Sequence, residues 1–443
     1  MPMFHNNEIN SMLNEYTSLC IENTTTDLSL YEKYDVKRGL RDINGVGVLT
    51  GLTGISDVRH EGQLLYRGID IKEMVSGFKQ ENRFGFEEVI YLLLMGKQPT
   101  VQQLSDFKQL LGEYRVLPRN FVRDVVLKAP TADIMNALAR EILTLYSYDK
   151  NQEDVSVNNV MRQCLQLISV FPQLAVYSYH SYNYKKKGKS LVIHITDPHR
   201  SIAEDILALL RNDQQYTPLE AQVLDTALVL HAEHGGGNNS TFTNRVVTST
   251  GTDTYSAMAA SLCSLKGPKH GGASLKVMEM FDNIRHNVHN WSDEEEVRAY
   301  LSKMLDKQAF DNTGLIYGVG HAVYSKADPR AEVFRSCVES LAKEKGRMKD
   351  FKLYRNVEKH AIDLISQKRR IYKGVVTNVD FYSGLAYSML GLPKELYIPI
   401  FAISRMAGWS AHRMEELINA SKIIRPAYRT ICSEEKYVPL TER

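Results

Sequence analysis

Gly318-Val319-Gly320-His321-Ala322-Val323-Tyr324-Ser325-Lys326-Ala327-Asp328-Pro329-Arg330 is the stretch that decides how this chain is read. Two glycines bracket Val319 just before His321. Glycine tolerates positive φ and close backbone approach, so such a loop is expected to expose N–H groups and present one imidazole. Asp328-Pro329 then reads as an N-cap followed by proline at the first helical position. The helix carries Ala331, Val333, Phe334 and Leu341 at helical spacing and stops near Gly346, a C′ glycine. Arg330 falls in its first turn, where orphan N–H groups already favour an anion. A cation there suggests a waiting carboxylate or phosphate. An acid/base group and an anion clamp thus lie nine positions apart. The plainer alternative is a surface turn before an ordinary capped helix.

Outward from this stretch, helix follows helix. Apolar residues recur at helical spacing over 86–95, 133–146, 159–179, 203–210, 219–234, 253–265, 275–288, 294–305, 330–345, 358–367, 381–390 and 403–418. Thr100 and Gln103 form a capping box for a further helix ending near Tyr114. Residues 1 to about 40 read as a helical arm, with Ile9, Met12, Leu13 and Tyr16 on one side. Only the region from Gly45 to Gly68 has the alternation and glycine punctuation of short strands. The fold class expected is all-α, with a few short β-strands near the N-terminus.

At 443 residues the chain suggests two domains, or one large domain with an insertion. A hydrophobic content of 43% with 24% charged residues is that of a soluble globular protein. The net charge of +2 gives no global reason to bind nucleic acid or membrane. The basic run Lys185-Lys186-Lys187-Gly188-Lys189 reads as a solvated loop, with a phosphate-facing role as the alternative. Five scattered cysteines without a C-x-x-C pair argue for free thiols in a reducing compartment and against a thiolate zinc site. With no apolar signal core at the N-terminus and no run long enough to span a bilayer, a cytoplasmic protein is expected.

Chemistry-bearing residues gather in a few other places. In Leu230-His231-Ala232-Glu233-His234-Gly235-Gly236-Gly237-Asn238 a helix meets a glycine cluster. His231 and His234, one turn apart, are able to share zinc, but the spacing is not H-E-x-x-H and no P-C-x-x-C follows. His234 as a hydrogen-bond donor to an anion fits better. In Gly267-Pro268-Lys269-His270-Gly271-Gly272 a histidine precedes a helix, whose dipole favours the neutral imidazole; the alternative is an interhelical loop. Asp380, in Asn378-Val379-Asp380-Phe381-Tyr382, is either an N-cap or a carboxylate in apolar surroundings, which is how a general base acquires a raised pKa. Arg405 and Arg425 stand on otherwise apolar segments and either bind anions or snorkel. Histidines, an aspartate and arginines together suggest carbon–carbon bond chemistry on a polycarboxylate, without metal or prosthetic group. No P-loop is present, and the third glycine of a dinucleotide fingerprint is missing.

These motifs, in this order, resemble those of the citrate synthase family over nearly the whole chain, from Leu64-Leu65-Tyr66-Arg67-Gly68 to Ile424-Arg425-Pro426. The match is to the si-type, bacterial-like members, with 2-methylcitrate synthase the close relative. The resemblance implies that His270 donates to the acetyl-CoA thioester carbonyl while Asp380 takes the methyl proton. His321 would polarise the ketone of oxaloacetate, and hydrolysis of citryl-CoA would release citrate and CoA. His234, Arg330, Arg405 and Arg425 match the family's carboxylate binders, the last supplied by the partner subunit of a homodimer. Phe401 matches an aromatic beside the reacting groups, and Val319-Gly320 part of the coenzyme's adenine-binding loop. No permanently bound cofactor is implied; acetyl-CoA is a co-substrate. The implied domains are a large one over 1–272 and 386–443, and a small one over 273–385 that closes over the substrates.

Two positions depart from the pattern: Ala322 stands where many bacterial relatives have arginine, and His234 to Asn238 is one residue longer than the common form. The alternatives carried forward are propionyl-CoA as substrate, a metal-dependent hydrolase built on His231 and His234, and a catalytically silent polyanion-binding protein.

Overall fold

The computed structural model describes residues 6–25, 51–59, 61–321, 323–324, 326–369, 374–419, 422–426, 434 and 436–442. The expected arm beyond residue 25, the strand expected over Val46–Leu49, and Ala322 lie outside the described residues. Helices dominate. Helix α1 spans Asn6–Thr24. Strands β1 (Ser56–Arg59), β2 (Gln63–Tyr66) and β3 (Ile69–Asp70) form one antiparallel sheet in the order β1-β2-β3, with Ser56 opposite Tyr66. Thus the one β region expected from the sequence is present, and the class is all-α as expected.

Helix α2 (Ile71–Gln80) follows directly, capped by Asp70, whose side chain accepts the Lys72 N–H. It was not among the helices expected, although Ile71, Met74, Val75 and Phe78 fall at i, i+3, i+4 and i+7 and are all buried. Every residue of α3 (Phe86–Met95) is buried. Tyr16, Tyr91 and Phe107 meet edge to face at 5.3 to 5.9 Å and tie α1, α3 and α4 (Val101–Glu113) together. Such ring pairs add to the ~1.5–3 kcal/mol that burial of each large apolar side chain contributes. The Thr100–Gln103 capping box at the start of α4 is formed in both directions.

The scaffold continues through α5 (Ile134–Leu145), α6 (Val157–Lys187), α7 (Ile202–Leu210), α8 (Pro218–His231), α9 (Asn239–Thr248) and α10 (Thr254–Leu265). Helix α6 runs past the expected end, through Pro172, and its last turn contains Lys185 to Lys187. The basic run is therefore helical rather than a loop; Gly188, at φ 65°, ends it. Helix α9, polar in sequence (Asn-Ser-Thr-Phe-Thr-Asn-Arg), was not among the segments expected to be helical. It is held by packing against α10 and by buried Ser240, Thr241, Asn244 and Arg245.

Helices α11 (Ala273–Asn287), α12 (Glu294–Leu305), α13 (Pro329–Glu344), α14 (Met348–Arg369) and α15 (Asp380–Met389) pack on one another, and α13 also lies against α8 and α2. Helix α14 starts ten residues before the expected Glu358, because buried Phe351, Leu353, Tyr354 and Val357 extend its apolar face. The last long helix, α16 (Tyr397–Asn419), crosses the centre of the fold, contacting α3, α6, α8 and α9. Among the described residues no helix is long and apolar enough to cross a membrane. Cys20, Cys164, Cys263 and Cys337 are free thiols, as expected.

Candidate active site

Asp328 caps α13 as the sequence indicates: its Oδ1 accepts the Arg330 N–H at 3.0 Å, with Pro329 in the first turn. The same carboxylate does more. Oδ1 also accepts from Arg330 Nε at 3.0 Å, and Oδ2 from Arg330 Nη2 at 2.8 Å and from the Val379 N–H at 3.2 Å. The anion facing Arg330 is therefore Asp328. Burial opposes the charge on Arg330, but Asp328 outweighs it and raises the pKa. Through Val379, Asp328 also joins the start of α13 to the start of α15, where Asp380 sits. Sequence reading gave it only a capping role; the bond to a residue 51 positions away carries no local signal.

The glycine loop is closed onto a second segment. Gly320 N–H donates to Val376 O at 2.7 Å and Asn378 N–H to Gly318 O at 2.9 Å, forming an antiparallel bridge between Val319 and Thr377. The N–H groups expected to be exposed are thus used by the chain itself, since Val319 N–H also reaches Ile316 O. Gly318 is required here: φ is 80°, and a Cβ would lie 2.9–3.0 Å from Phe381 and 3.0 Å from Val277. The bridge brings His321 and Asp380 to the same end of this helical group.

Donors face both ring nitrogens of His321, two of them on one side. Its Nδ1 accepts the N–H groups of Val323 and Tyr324, both at 3.0 Å, so the neutral ring carries its proton on Nε2. Arg330 Nη2 lies 3.4 Å from that nitrogen. Two donors therefore lie side by side, an arrangement that suits a carbonyl or carboxylate oxygen accepting from both. Burial, followed by the Arg330 charge, pushes the His321 pKa down to about 4.

His270 is arranged in the same way with the nitrogens exchanged. Nε2 lies 3.4 Å from the Ser240 N–H and 3.0 Å from Ser240 Oγ. The backbone donor makes Nε2 an acceptor and leaves the proton on Nδ1. Ser240 Oγ in turn accepts from Trp409 Nε1 at 3.3 Å. Burial and then Arg405 hold the His270 pKa down to about 4. At neutral pH both rings are uncharged donors.

His234 follows the C-terminus of α8, which ends at His231 rather than at the expected His234. Its Nε2 lies 3.1 Å from Tyr324 Oη, and its ring is 5.4 Å from that of His321. Burial, then Arg330 and Arg405, hold its pKa well below the usual imidazole value. The β-sheet braces this loop. Tyr66 Oη accepts the Glu233 N–H at 3.2 Å, and Ser56 Oγ accepts the Gly235 N–H at 3.1 Å. The zinc reading finds no support: His231 packs on Phe401, and among the described residues no three His, Cys, Asp or Glu are grouped to hold a metal.

Arg405 is 0% exposed. Nε donates to His231 O at 2.8 Å, and the guanidinium lies 4.8 Å from the centre of the Phe401 ring. Among the described residues its Nη1 and Nη2 have no hydrogen-bond partner. Burial lowers its pKa while Glu233 opposes that. A buried guanidinium with two unsatisfied nitrogens is costly unless an anion joins it.

Asp380 is the first residue of α15 and does not cap it; the preceding Val379 makes no side-chain cap. Its carboxylate is raised to about 6 by burial, with Asp328 adding to the shift and Arg330 and Arg405 opposing it. His231, His234 and Asp380 all sense both guanidiniums, which places them in one electrostatic site. Arg425 is different. It is exposed on segment 422–426, held by the Ile424 N–H on Ser249 Oγ, and among the described residues nothing bonds it to the cluster.

One close approach sets how α16 meets the loop. A Cβ on Gly408 would lie 2.3 Å from Glu233 Oε2 and 2.4 Å from Ala232 O. Gly408→Ala is expected to lower stability by about 1–3 kcal/mol, read as a lower urea midpoint at unchanged slope.

The sequence profile described as "Citrate synthase, C-terminal domain" matches residues 44–427. The chain is 33% identical over 384 residues to a citrate synthase of Deinococcus radiodurans, covering 86% of this chain and 93% of that one. It is 30% identical over 414 residues to 2-methylcitrate synthase 2 of Corynebacterium glutamicum, covering 92% and 98%. Among solved structures, citrate synthase of Pyrobaculum aerophilum superposes with TM-score 0.74 at 29% identity, over 92% of this chain and 99% of that one. A ternary complex of Thermoplasma acidophilum citrate synthase with carboxymethyl coenzyme A and oxaloacetate gives TM-score 0.75 at 25% identity, over 90% and 97%. The chain belongs to the citrate synthase family of condensing transferases.

Proposed function

We propose that this protein condenses acetyl-CoA with oxaloacetate and hydrolyses the resulting citryl-CoA to citrate and CoA, as an Si-type synthase. The observation that carries the reading is the Arg405 guanidinium, buried with two unsatisfied nitrogens, beside the paired donors His321 Nε2 and Arg330 Nη2. A small dicarboxylate with a central carbonyl suits that set of donors. Asp380, with its raised pKa, takes the methyl proton of acetyl-CoA while His270 Nδ1–H holds the developing enolate oxygen. The enol carbon then bonds to the ketone carbon, and His321 Nε2–H stabilises the oxyanion that forms. Water finally adds to the thioester, and the C–S bond breaks to release CoA.

In this reading His234 and Arg330 complete the oxaloacetate contacts, Phe401 packs beside them, and Val319 and Gly320 meet the coenzyme through groups other than their N–H. Residues 273–385 act as the small domain that closes on 1–272 and 386–443, excluding water from the enolate step. The protein works as a homodimer in which Arg425, exposed in the single chain, reaches the partner's site.

The test is release of free thiol from acetyl-CoA, expected only with oxaloacetate present; a folded protein with no release contradicts the reading. The alternative, 2-methylcitrate synthesis from propionyl-CoA, is favoured by the Corynebacterium glutamicum relative, and the ratio of kcat/KM for the two acyl-CoAs decides between them. The pH profile follows from the residues named. Asp380 is active as the deprotonated base, so kcat/KM is expected to rise with pH through about 6. His270 and His321, at about 4, add no limb above pH 5. A flat profile from pH 5 to 8 contradicts Asp380 as the base.

A further inference from the structure

Behind the Arg405 and His234 half of the site runs a buried line of polar groups to which the mechanism above gives no part. Arg405, Gly408 and His412 share one face of α16 at helical spacing, and all three bear on the loop that follows α8. Arg405 Nε holds His231 O, Gly408 touches Ala232 and Glu233, and His412 Nε2 reaches Glu233 Oε1 at 3.0 Å. His412 and Glu233 are both 0% exposed. Arg245 Nη1 approaches His412 Nδ1 at 2.9 Å, which makes Nδ1 the acceptor and Nε2 the donor to Glu233. Arg245 is itself paired with Glu415 and Glu416. The second donor to Glu233 Oε1 is Ser56 Oγ at 3.0 Å, and the same hydroxyl accepts the Gly235 N–H.

Glu233 is therefore held on Oε1 from two sides, while among the described residues Oε2 has no hydrogen-bond partner. Burial works against its charge, but His412, Arg405 and Ser56 outweigh that and hold the carboxyl down to about 2. Glu233 is also the largest influence sustaining the charge on Arg405. One carboxylate thus bears both on the backbone that carries His234 and on the charge of the guanidinium whose Nη1 and Nη2 have no partner among the described residues.

Resting on the function proposed above, we infer that His412 and Glu233 are positioning residues for the oxaloacetate half of the site. They touch no reacting atom. His412, fixed by Arg245, pins Glu233, and Glu233 fixes the segment that carries His234 and whose His231 carbonyl holds Arg405 Nε. The base, Asp380, lies on α15 and is outside this line of contacts. Loss of the His412 contact should therefore weaken oxaloacetate binding far more than it slows the chemistry.

The test uses the full chain with His412→Leu, which removes the donor, and His412→Gln, whose amide N–H replaces Nε2 as donor to Glu233. His412→Leu is expected to raise KM for oxaloacetate at least tenfold, with KM for acetyl-CoA and kcat at saturation changed by less than threefold. His412→Gln is expected to restore most of the loss. The inference is overturned if folded His412→Leu keeps its oxaloacetate KM within twofold of wild type. It is also overturned if His412→Gln is as impaired as His412→Leu, or if kcat and both KM values move together. If His412→Leu does not fold, Ser56→Ala, which keeps every charge, is expected to raise the oxaloacetate KM several-fold, and an unchanged value overturns the inference. If wild type releases no thiol from any acyl-CoA, the functional reading fails separately. The positioning role is then read from the oxaloacetate-dependent rise in Tm: present in wild type and lost in His412→Leu supports it, and any other pattern overturns it.

Discussion

Asp380→Asn is expected to lower kcat by about 10²–10⁴, the usual contribution of a positioned general base, while leaving oxaloacetate binding intact. The amide keeps the shape of the carboxylate but cannot accept the methyl proton. Binding survives because Arg330 and Arg405 stand on other segments. The same change should stabilise the ligand-free protein at pH 7. Burial raises the Asp380 pKa from 3.8 to about 6, so above pH 6 the folded state carries a charge it disfavours. That penalty is present in full above the folded pKa and is relieved as pH falls from 6 towards 4. Removing the charge should therefore add about 2–3 kcal/mol at neutral pH, with the advantage shrinking near pH 4. Steady-state kinetics, with thermal melts at pH 7 and pH 4.5, check both halves. A variant that is active and no more stable than wild type contradicts the assignment.

Arg405→Gln is expected to show the opposite split. Its two unpartnered nitrogens are the donors for which the site has no internal acceptor. Two hydrogen bonds to a charged group at ~1.5–3 kcal/mol each correspond to a KM for oxaloacetate raised by about 10²–10⁴. Arg405→Lys should recover little, since an ammonium offers neither the planar fork nor the Nε contact that His231 O receives. Oxaloacetate should also cease to raise Tm in the Gln variant, whereas it still does so for Asp380→Asn. Calorimetric titration with oxaloacetate alone separates the two. Wild-type affinity in Arg405→Gln would remove Arg405 from the site.

The two variants together decide how the site divides its work. One loses chemistry with binding kept, and the other loses binding. A catalytically silent polyanion-binding protein would show only the second effect.

Local signals in the sequence were sufficient for much of this. The capping box at Thr100, the Asp328-Pro329 helix start and the continuous apolar run of α3 each act within a few residues. Periodicity therefore gave the all-α class and most helix positions. It failed where the stabilising partner is distant. Helix α9 is polar and depends on α10 and on burial of Asn244 and Arg245, and α14 begins early because its first apolar turns meet a core assembled elsewhere. Glycine spacing located the Gly318 loop but wrongly suggested open N–H groups, because the pairing segment Val376–Asn378 lies almost sixty residues on.

For the site, residue types and their order identified His270, His321, Asp380, Arg330 and Arg405 as candidates, since histidine beside glycine and arginine in apolar sequence have little use in packing. Their electronic states came only from tertiary contacts. Which nitrogen of His321 or His270 bears the proton depends on backbone N–H groups that folding brings to the ring. The raised pKa of Asp380 and the unsatisfied nitrogens of Arg405 are consequences of burial, and burial is a property of the assembled core. The supporting carboxylates Asp328 and Glu233 were passed over as a cap and a neighbour of histidine, because their decisive partners are 51 and 179 positions away. The sequence alone determined which chemical groups the chain carries and that they ride on helices; the tertiary structure decided their protonation, their orientation and which of them are left waiting for a ligand, because each of those depends on what surrounds a group rather than on what precedes it.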